Sequence, residues 1–151
     1  MLWKKLYGTV WLAFFSCLLI PRWMGPYAGF PIHALLGLIL LIRALLNARE
    51  LATLSVPARL QRISKVTAGL AVFQIVSGLA MGGISHLAPN LPVLLPLLRG
   101  IHVVVALAIL AQASSVATAY DMWEEKEFQT GWKPETGMER DAEYAEERGK
   151  N

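Results

Sequence analysis

The sequence predicts an all-α, integral-membrane four-helix bundle followed by a short, acidic, cytoplasmic C-terminal tail. Of its 151 residues, 55% are hydrophobic and only 17% are charged, whereas a soluble domain carries about a quarter charged residues. Residues 1–120 hold nine Lys/Arg and one acidic residue, while residues 121–151 hold five Lys/Arg and ten Asp/Glu. This composition excludes a soluble enzyme. Because the sequence pI of about 9.2 averages two unlike parts, it does not indicate nucleic-acid binding.

Four segments have or approach the roughly 20 apolar residues that cross a bilayer core. They are predicted at Leu6–Ile20, Phe30–Asn47, Val66–Ile84 and Leu97–Tyr120. The sequence therefore divides into a transmembrane bundle over residues 1–120 and a tail over residues 121–151. The first segment begins like a signal peptide but lacks a small-x-small cleavage site, so we expect it to stay as a membrane helix.

Positively charged residues predict the orientation of these spans. The connection between the second and third spans is the most basic, with Arg43, Arg49, Arg59, Arg62 and Lys65. The N-terminus carries Lys4 and Lys5, whereas the other two connections carry one arginine each. Since Lys and Arg stay on the cytoplasmic side, we expect a multi-pass protein of the plasma membrane with both termini in the cytoplasm.

The chain contains a single cysteine, Cys17, within the first span. One cysteine excludes an internal disulfide, a cysteine-rich zinc site and the Cys-x-x-Cys-His attachment of a c-type haem. A small apolar side chain in a membrane helix is the role we expect for it.

Two histidines form the main candidate site. His33 and His102 lie near the outer ends of the second and fourth spans, which run in the same direction, so both are expected at similar depth. Two neutral imidazoles that face each other in a bundle can bind a haem iron from both sides. His86 lies beyond the outer end of the third span and is not expected to be a ligand. The alternative is that all three histidines are interfacial residues without a cofactor.

Residues around the two histidines fit one bis-histidine haem b. Gly37 and Ala106 follow the histidines by one turn and are small enough to leave room for a flat macrocycle. Arg99 lies one turn outward of His102, where a haem propionate would end, and Arg22 is a candidate for the other propionate. Gln74 either makes an interhelical hydrogen bond or contacts the haem edge.

The depth of the two histidines leaves two alternatives open. His33 precedes Arg43 by about 15 Å of helix, whereas His102 precedes Tyr120 by about 27 Å at a rise of about 1.5 Å per residue. The depths agree if Arg43 extends to the interface and the second span continues to about Arg49. They also agree if the fourth span continues into the cytoplasm.

Three stretches resemble the haem A synthase family. FQIVSGLAMG at residues 73–82 leads through a Pro-rich loop to GIHVVVALA at residues 100–108. This arrangement is similar to the family's glycine-spaced helix followed by a helix that opens with a haem-ligand histidine. HALLG at residues 33–37 is similar to the family's other histidine helix. The resemblance covers one four-helix half, residues 1–120, and implies bis-histidine haem binding.

The sequence differs from the haem A synthase family in features that the family uses for catalysis. The catalytic half of a haem A synthase has a glutamate before its first histidine and an arginine after it, whereas Ile32 and Ala34 flank His33 here. The outer-loop cysteine pair is also absent, and none of the four spans contains a carboxylate. We therefore expect electron transfer or haem handling for a respiratory oxidase, without conversion of haem O to haem A. A cofactor-free accessory subunit of a membrane complex and a compact haem A synthase are the alternatives.

The acidic tail is expected to be solvated and partly disordered. The tail contains more aromatic residues than is expected of a solvated tail: Trp123, Phe128, Trp132 and Tyr144. Because the negative charge of the tail disfavours binding to anionic lipid, we favour docking on a protein over docking on the membrane surface. Besides the lipid bilayer, the expected partners are other membrane subunits or further copies of the chain, and no nucleic acid.

Overall fold

Four α-helices account for nearly all of the described chain. The computed structural model describes residues 2–18, 25–87 and 93–131. The helices are α1 (Leu2–Leu18), α2 (Gly25–Thr53), α3 (Ala58–Leu87) and α4 (Leu94–Gly131). The prediction of an all-α, four-helix bundle is confirmed.

Three of these helices are long and apolar enough to cross a membrane. The qualifying segments are Phe30–Thr53 of α2, Ala58–Ser85 of α3 and Leu94–Phe128 of α4. Few of their side chains are buried, as expected when most of a span faces lipid. The described part of α1 has 17 residues, which is shorter than the roughly 20 that a span requires.

The turn between α2 and α3 has a local cause. Pro57 disfavours helical conformation in the residue before it, and Leu54–Pro57 separate the two helices. The carbonyl oxygen of Pro57 then accepts the backbone N–H of Leu60 at 2.9 Å, which begins α3. The two helices therefore reverse direction within four residues.

The bundle packs around a seam of small side chains. All four helices contribute to one core cluster, which comprises Ala13, Leu40, Ala44, Ala48, Ala68, Ala71 and Ile109. Five of these seven side chains are alanine, which lets the backbones of membrane helices approach closely. On α2 and α3 the cluster lies in the half of each helix nearer to their turn, whereas both candidate histidines lie away from it.

Buried polar side chains join the helices in pairs. Asn47 Nδ2 of α2 donates to Thr9 Oγ1 of α1 at 2.9 Å, and Thr9 donates in turn to the carbonyl oxygen of Lys5. Thr67 Oγ1 of α3 lies 3.1 Å from Gln112 Oε1 of α4. A cavity of about 20 Å³, lined by Thr9, Asn47, Ser64 and Thr67 among others, is large enough for one water molecule. These polar groups thus have a partner on a neighbouring helix, whereas the buried hydroxyl of Ser16 has no hydrogen-bond partner among the described residues.

The helices α2 and α4 both continue beyond the predicted spans, as the two explanations for the depths of the histidines require. Arg43 Nη2 donates to the carbonyl oxygen of Lys5 at 2.9 Å, so the guanidinium reaches the first turns of α1. The helix α2 also continues past Arg49 to Thr53, which places about 30 Å of helix after His33. The helix α4 continues beyond Tyr120 to Gly131.

The chain divides into two units, residues 1–120 and residues 121–151. The second unit is described only over residues 121–131, which are helical, whereas the sequence predicted a partly disordered tail. No proline or glycine interrupts these residues before Gly131, and Met, Glu and Lys favour helix. Trp132 and Tyr144 lie outside the described residues.

Candidate functional site

The structure places the side chains of His33 and His102 next to each other. His33 is in α2 and His102 is in α4, and their ring centroids are 6.2 Å apart with an angle of 52° between the ring planes. Both side chains are half-buried. Two imidazoles from separate helices therefore meet inside the bundle.

The distance between the rings fits two axial ligands of one metal ion. A metal–imidazole nitrogen bond measures about 2.0 Å. With a ring radius of about 1.1 Å, two imidazoles on opposite sides of one metal have centroids about 6.2 Å apart. The observed separation of 6.2 Å agrees with this value. Two histidines are also the complete protein ligand set for a bis-histidine haem, because the macrocycle supplies the other four nitrogen ligands.

Ser77 of α3 orients the ring of His102. The Ser77 Oγ atom lies 3.0 Å from His102 Nδ1 and 3.0 Å from the carbonyl oxygen of Gln74. A hydroxyl has one proton, and the carbonyl can only accept, so we assign Nδ1–H of His102 as the donor to Ser77. The other ring nitrogen, Nε2, then carries the lone pair that can bind a metal.

Two buried polar atoms at the site have no hydrogen-bond partner among the described residues. They are His33 Nδ1 and Gln74 Oε1. Burial without a partner is costly for a polar atom, so such an atom often marks the place of a missing ligand or water. The unpaired imidazole nitrogen of His33 thus fits a site that binds a cofactor.

Gln74 and the glycines position α3 against the histidine helices. Gln74 Nε2 donates to the backbone carbonyl of His102 at 2.9 Å, which is the interhelical hydrogen bond that the sequence allowed. A Cβ atom on Gly78 would lie 3.4 Å from His102 Cε1, and one on Gly37 would lie 3.3 Å from Ile75 Cδ1. Gly37 therefore permits close contact between α2 and α3, and its role in leaving room for a macrocycle stays a prediction.

For the other predicted site residues, the structure gives their position and exposure at most. Ala106 is half-buried one turn after His102, and Arg99 is exposed one turn before it. Arg22 lies outside the described residues, and so does the side chain of His86. The propionate contacts of Arg99 and Arg22 therefore stay predictions.

No group of three or more His, Cys, Asp or Glu side chains within residues 2–18, 25–87 and 93–131 could hold a metal ion. Comparisons with protein-family models, with curated proteins and with solved structures found no match for this chain. The resemblance to haem A synthases, and the role of His33 and His102 as haem ligands, thus stay predictions.

Ser77 is the site residue that the sequence analysis missed. It follows Gln74 by three residues, and residues three apart lie on one face of a helix. A polar residue at this spacing from Gln74, in an otherwise apolar span, was the signal that could have identified it.

If His33 and His102 hold a haem, replacing Ser77 by alanine is expected to weaken its retention by about 10- to 100-fold, because a histidine ligand would lose its hydrogen-bond partner. We also expect a shifted reduction potential, because Ser77 no longer accepts the Nδ1–H of His102. The haem-to-protein ratio after dilution measures retention, and spectroelectrochemistry of the purified protein measures the potential. Ser85→Ala is the matched control, because Ser85 makes the same local bond, to the carbonyl of Gly82, away from both histidines. Equal behaviour of the two variants would contradict the positioning role of Ser77.

Proposed function

We propose that this chain is a membrane protein that holds one haem b between His33 and His102. The observation that carries the proposal is the proximity of the two rings, whose centroids are 6.2 Å apart, a spacing that would let both imidazoles bind one iron. The contact of Ser77 with His102 Nδ1 and the unpaired Nδ1 of His33 support it.

The bound haem would supply a one-electron redox centre. A haem held by His33 and His102 would have no open coordination position, which would suit electron transfer better than oxygen binding. The chain itself supplies the two ligands, the hydrogen bond that orients His102 and the apolar helices that exclude water. Together with the resemblance to half of a haem A synthase, these features favour electron transfer or haem handling for a respiratory oxidase.

The proposed setting is the plasma membrane, with four spans and both termini in the cytoplasm. The helix α1 would be the fourth span, since apolar residues continue to Ile20 in the sequence. The basic residues at the start of α1 and around the turn between α2 and α3 would then face the cytoplasm. The acidic tail would lie on the same side, where a partner subunit or a second copy of the chain could dock.

The purified protein is expected to show a low-spin b-type absorption spectrum after reduction, because both axial positions would be occupied by imidazole nitrogens. Expression in haem-replete cells, followed by difference spectroscopy and a pyridine haemochrome assay, measures the haem type and its ratio to protein. A folded preparation from such cells that contains no haem would contradict the proposal. It would instead favour a cofactor-free accessory subunit of a membrane complex.

A further inference from the structure

A second, larger cavity lies near the turn between α2 and α3, away from the histidines. It has a volume of about 370 Å³, and it is lined by Lys5, Arg43, Leu46, Asn47, Arg49, Glu50 and Thr53. Its residues come from the first turns of α1 and the last turns of α2. Thr53 is also the end of the segment of α2 that is long and apolar enough to cross a membrane, so the cavity lies at one end of that segment.

The guanidinium of Arg43 is held in place at this cavity. Its Nη2 atom donates to the carbonyl oxygen of Lys5 at 2.9 Å. A Cβ atom on Gly8 would lie 3.1 Å from the same nitrogen, so the glycine lets the guanidinium lie against the backbone of α1. An arginine has five N–H donors, and the remaining donors of Arg43 have no protein acceptor among the described residues.

The cavity has an excess of positive charge. Lys5 Nζ lies 2.8 Å from both carboxylate oxygens of Glu50, so these two charges offset each other. The guanidinium groups of Arg43 and Arg49 are not paired with a carboxylate in the described part of the chain. Two cations with free donors, one of them immobilised, favour binding of an anion with several acceptor oxygens, and phosphate geometry matches guanidinium.

One lining residue of the cavity, Leu46, is apolar, beside the polar side chains of Asn47 and Thr53. Leu46 lines it and is 53% exposed, and Ile42, one turn earlier on the membrane-spanning part of α2, is also exposed. A phosphate held by the two arginines would therefore have an apolar helix surface beside it. This combination matches a phospholipid, with its phosphate at the cations and an acyl chain along α2.

We propose that this cavity, between Arg43 held by α1 and Arg49 of α2, binds the phosphate group of an anionic phospholipid. The proposal requires only that α2 crosses the membrane, and it is independent of haem binding. A free phosphate shares the headgroup chemistry but not the acyl chain.

The test uses the full chain, purified in a neutral detergent and examined by native mass spectrometry with phosphatidylglycerol or phosphatidylcholine. We expect retention of one phosphatidylglycerol per chain in preference to phosphatidylcholine. Arg43→Gln and Arg49→Gln are each expected to weaken this retention about fivefold, the effect of one basic residue near an anionic lipid. Arg59→Gln is the matched control, since this exposed arginine in the first turn of α3 does not line the cavity. Because Arg49 is exposed, its variant keeps the test valid if Arg43→Gln does not fold.

The variant Glu50→Gln tests the charge balance directly. It removes the partner of Lys5 and adds a third free cation, so retention of phosphatidylglycerol is expected to rise about fivefold. Equal retention by Arg49→Gln, Arg59→Gln and the parent protein would overturn the proposal. So would equal retention of the two lipids by the parent protein.

Addition of inorganic phosphate distinguishes the two sources of the ligand. For a lipid site, excess inorganic phosphate is expected to leave the bound phosphatidylglycerol in place, because the acyl chain adds apolar contacts along Leu46. Displacement of the lipid by phosphate at equal concentration would overturn the lipid assignment.

Discussion

Alanine in place of either His33 or His102 is expected to remove the low-spin haem spectrum completely. Each histidine is proposed to supply one of the two bonds to the iron, and the third histidine of the chain, His86, is at the end of α3. The loss of one bond opens an axial position and produces a high-spin or haem-free protein. Absorption and electron paramagnetic resonance spectra of the purified variants measure the spin state, and gel filtration in detergent confirms that they are folded.

Two controls make this result specific. His86→Ala removes a histidine at the end of α3 and is expected to keep the parent spectrum. Addition of free imidazole to His102→Ala is expected to restore part of the low-spin signal, because the small ligand can occupy the space left by the side chain. Loss of the spectrum in His86→Ala, with both other variants unaffected, would show that the ligand pair is wrong.

Replacement of Ile109 by alanine is expected to lower the free energy of unfolding by about 2–5 kcal/mol, the range for removing a large aliphatic side chain from a packed core. Ile109 is only 1% exposed and is the contribution of α4 to the central cluster. Its neighbours there are mostly alanines, which are too small to fill the resulting cavity. Unfolding of the purified protein in mixtures of mild and denaturing detergent, followed by circular dichroism, measures the change.

Leu107→Ala is the matched control for this prediction. Leu107 is on the same helix but is 50% exposed, so its removal leaves no internal cavity. Its effect is expected to stay within about 0.5 kcal/mol, as for most surface substitutions. Similar losses for the two variants would show that Ile109 does not occupy the packing centre of the bundle.

The number of helices and their approximate positions could be predicted from the sequence. Each apolar segment is long enough to be recognised by composition alone, because the cost of placing residues in lipid adds up along the segment. The predicted helix ends were less accurate. The helix α3 begins at Ala58 and α4 continues to Gly131, so both extend beyond the predicted apolar segments. Charged residues in the first and last turns do not interrupt a helix, so hydropathy does not mark its ends.

The candidate site was predictable in part. His33, His102 and Gln74 stand out because ionisable and polar groups are rare in membrane spans. Ser77 and the close contact at Gly37 did not stand out, because serine and glycine are common in membrane helices. The cavity lined by Arg43 and Arg49 could not be predicted either. It depends on a hydrogen bond from Arg43 to the backbone of Lys5, 38 residues away in the chain, and no local sequence pattern indicates such a contact.

The sequence by itself therefore determined the helical, membrane-spanning character of the chain, its charge asymmetry and the identity of the unusual polar residues. The tertiary structure brings together His33 and His102, the pair that the sequence predicted. Only the structure showed that Ser77 contacts His102 and that Arg43 contacts the backbone of α1. The physical reason is that the spans are apolar on all sides. Hydropathy then specifies that a helix enters the membrane but not its rotation about its own axis, which is set by close packing of small residues and by interhelical hydrogen bonds.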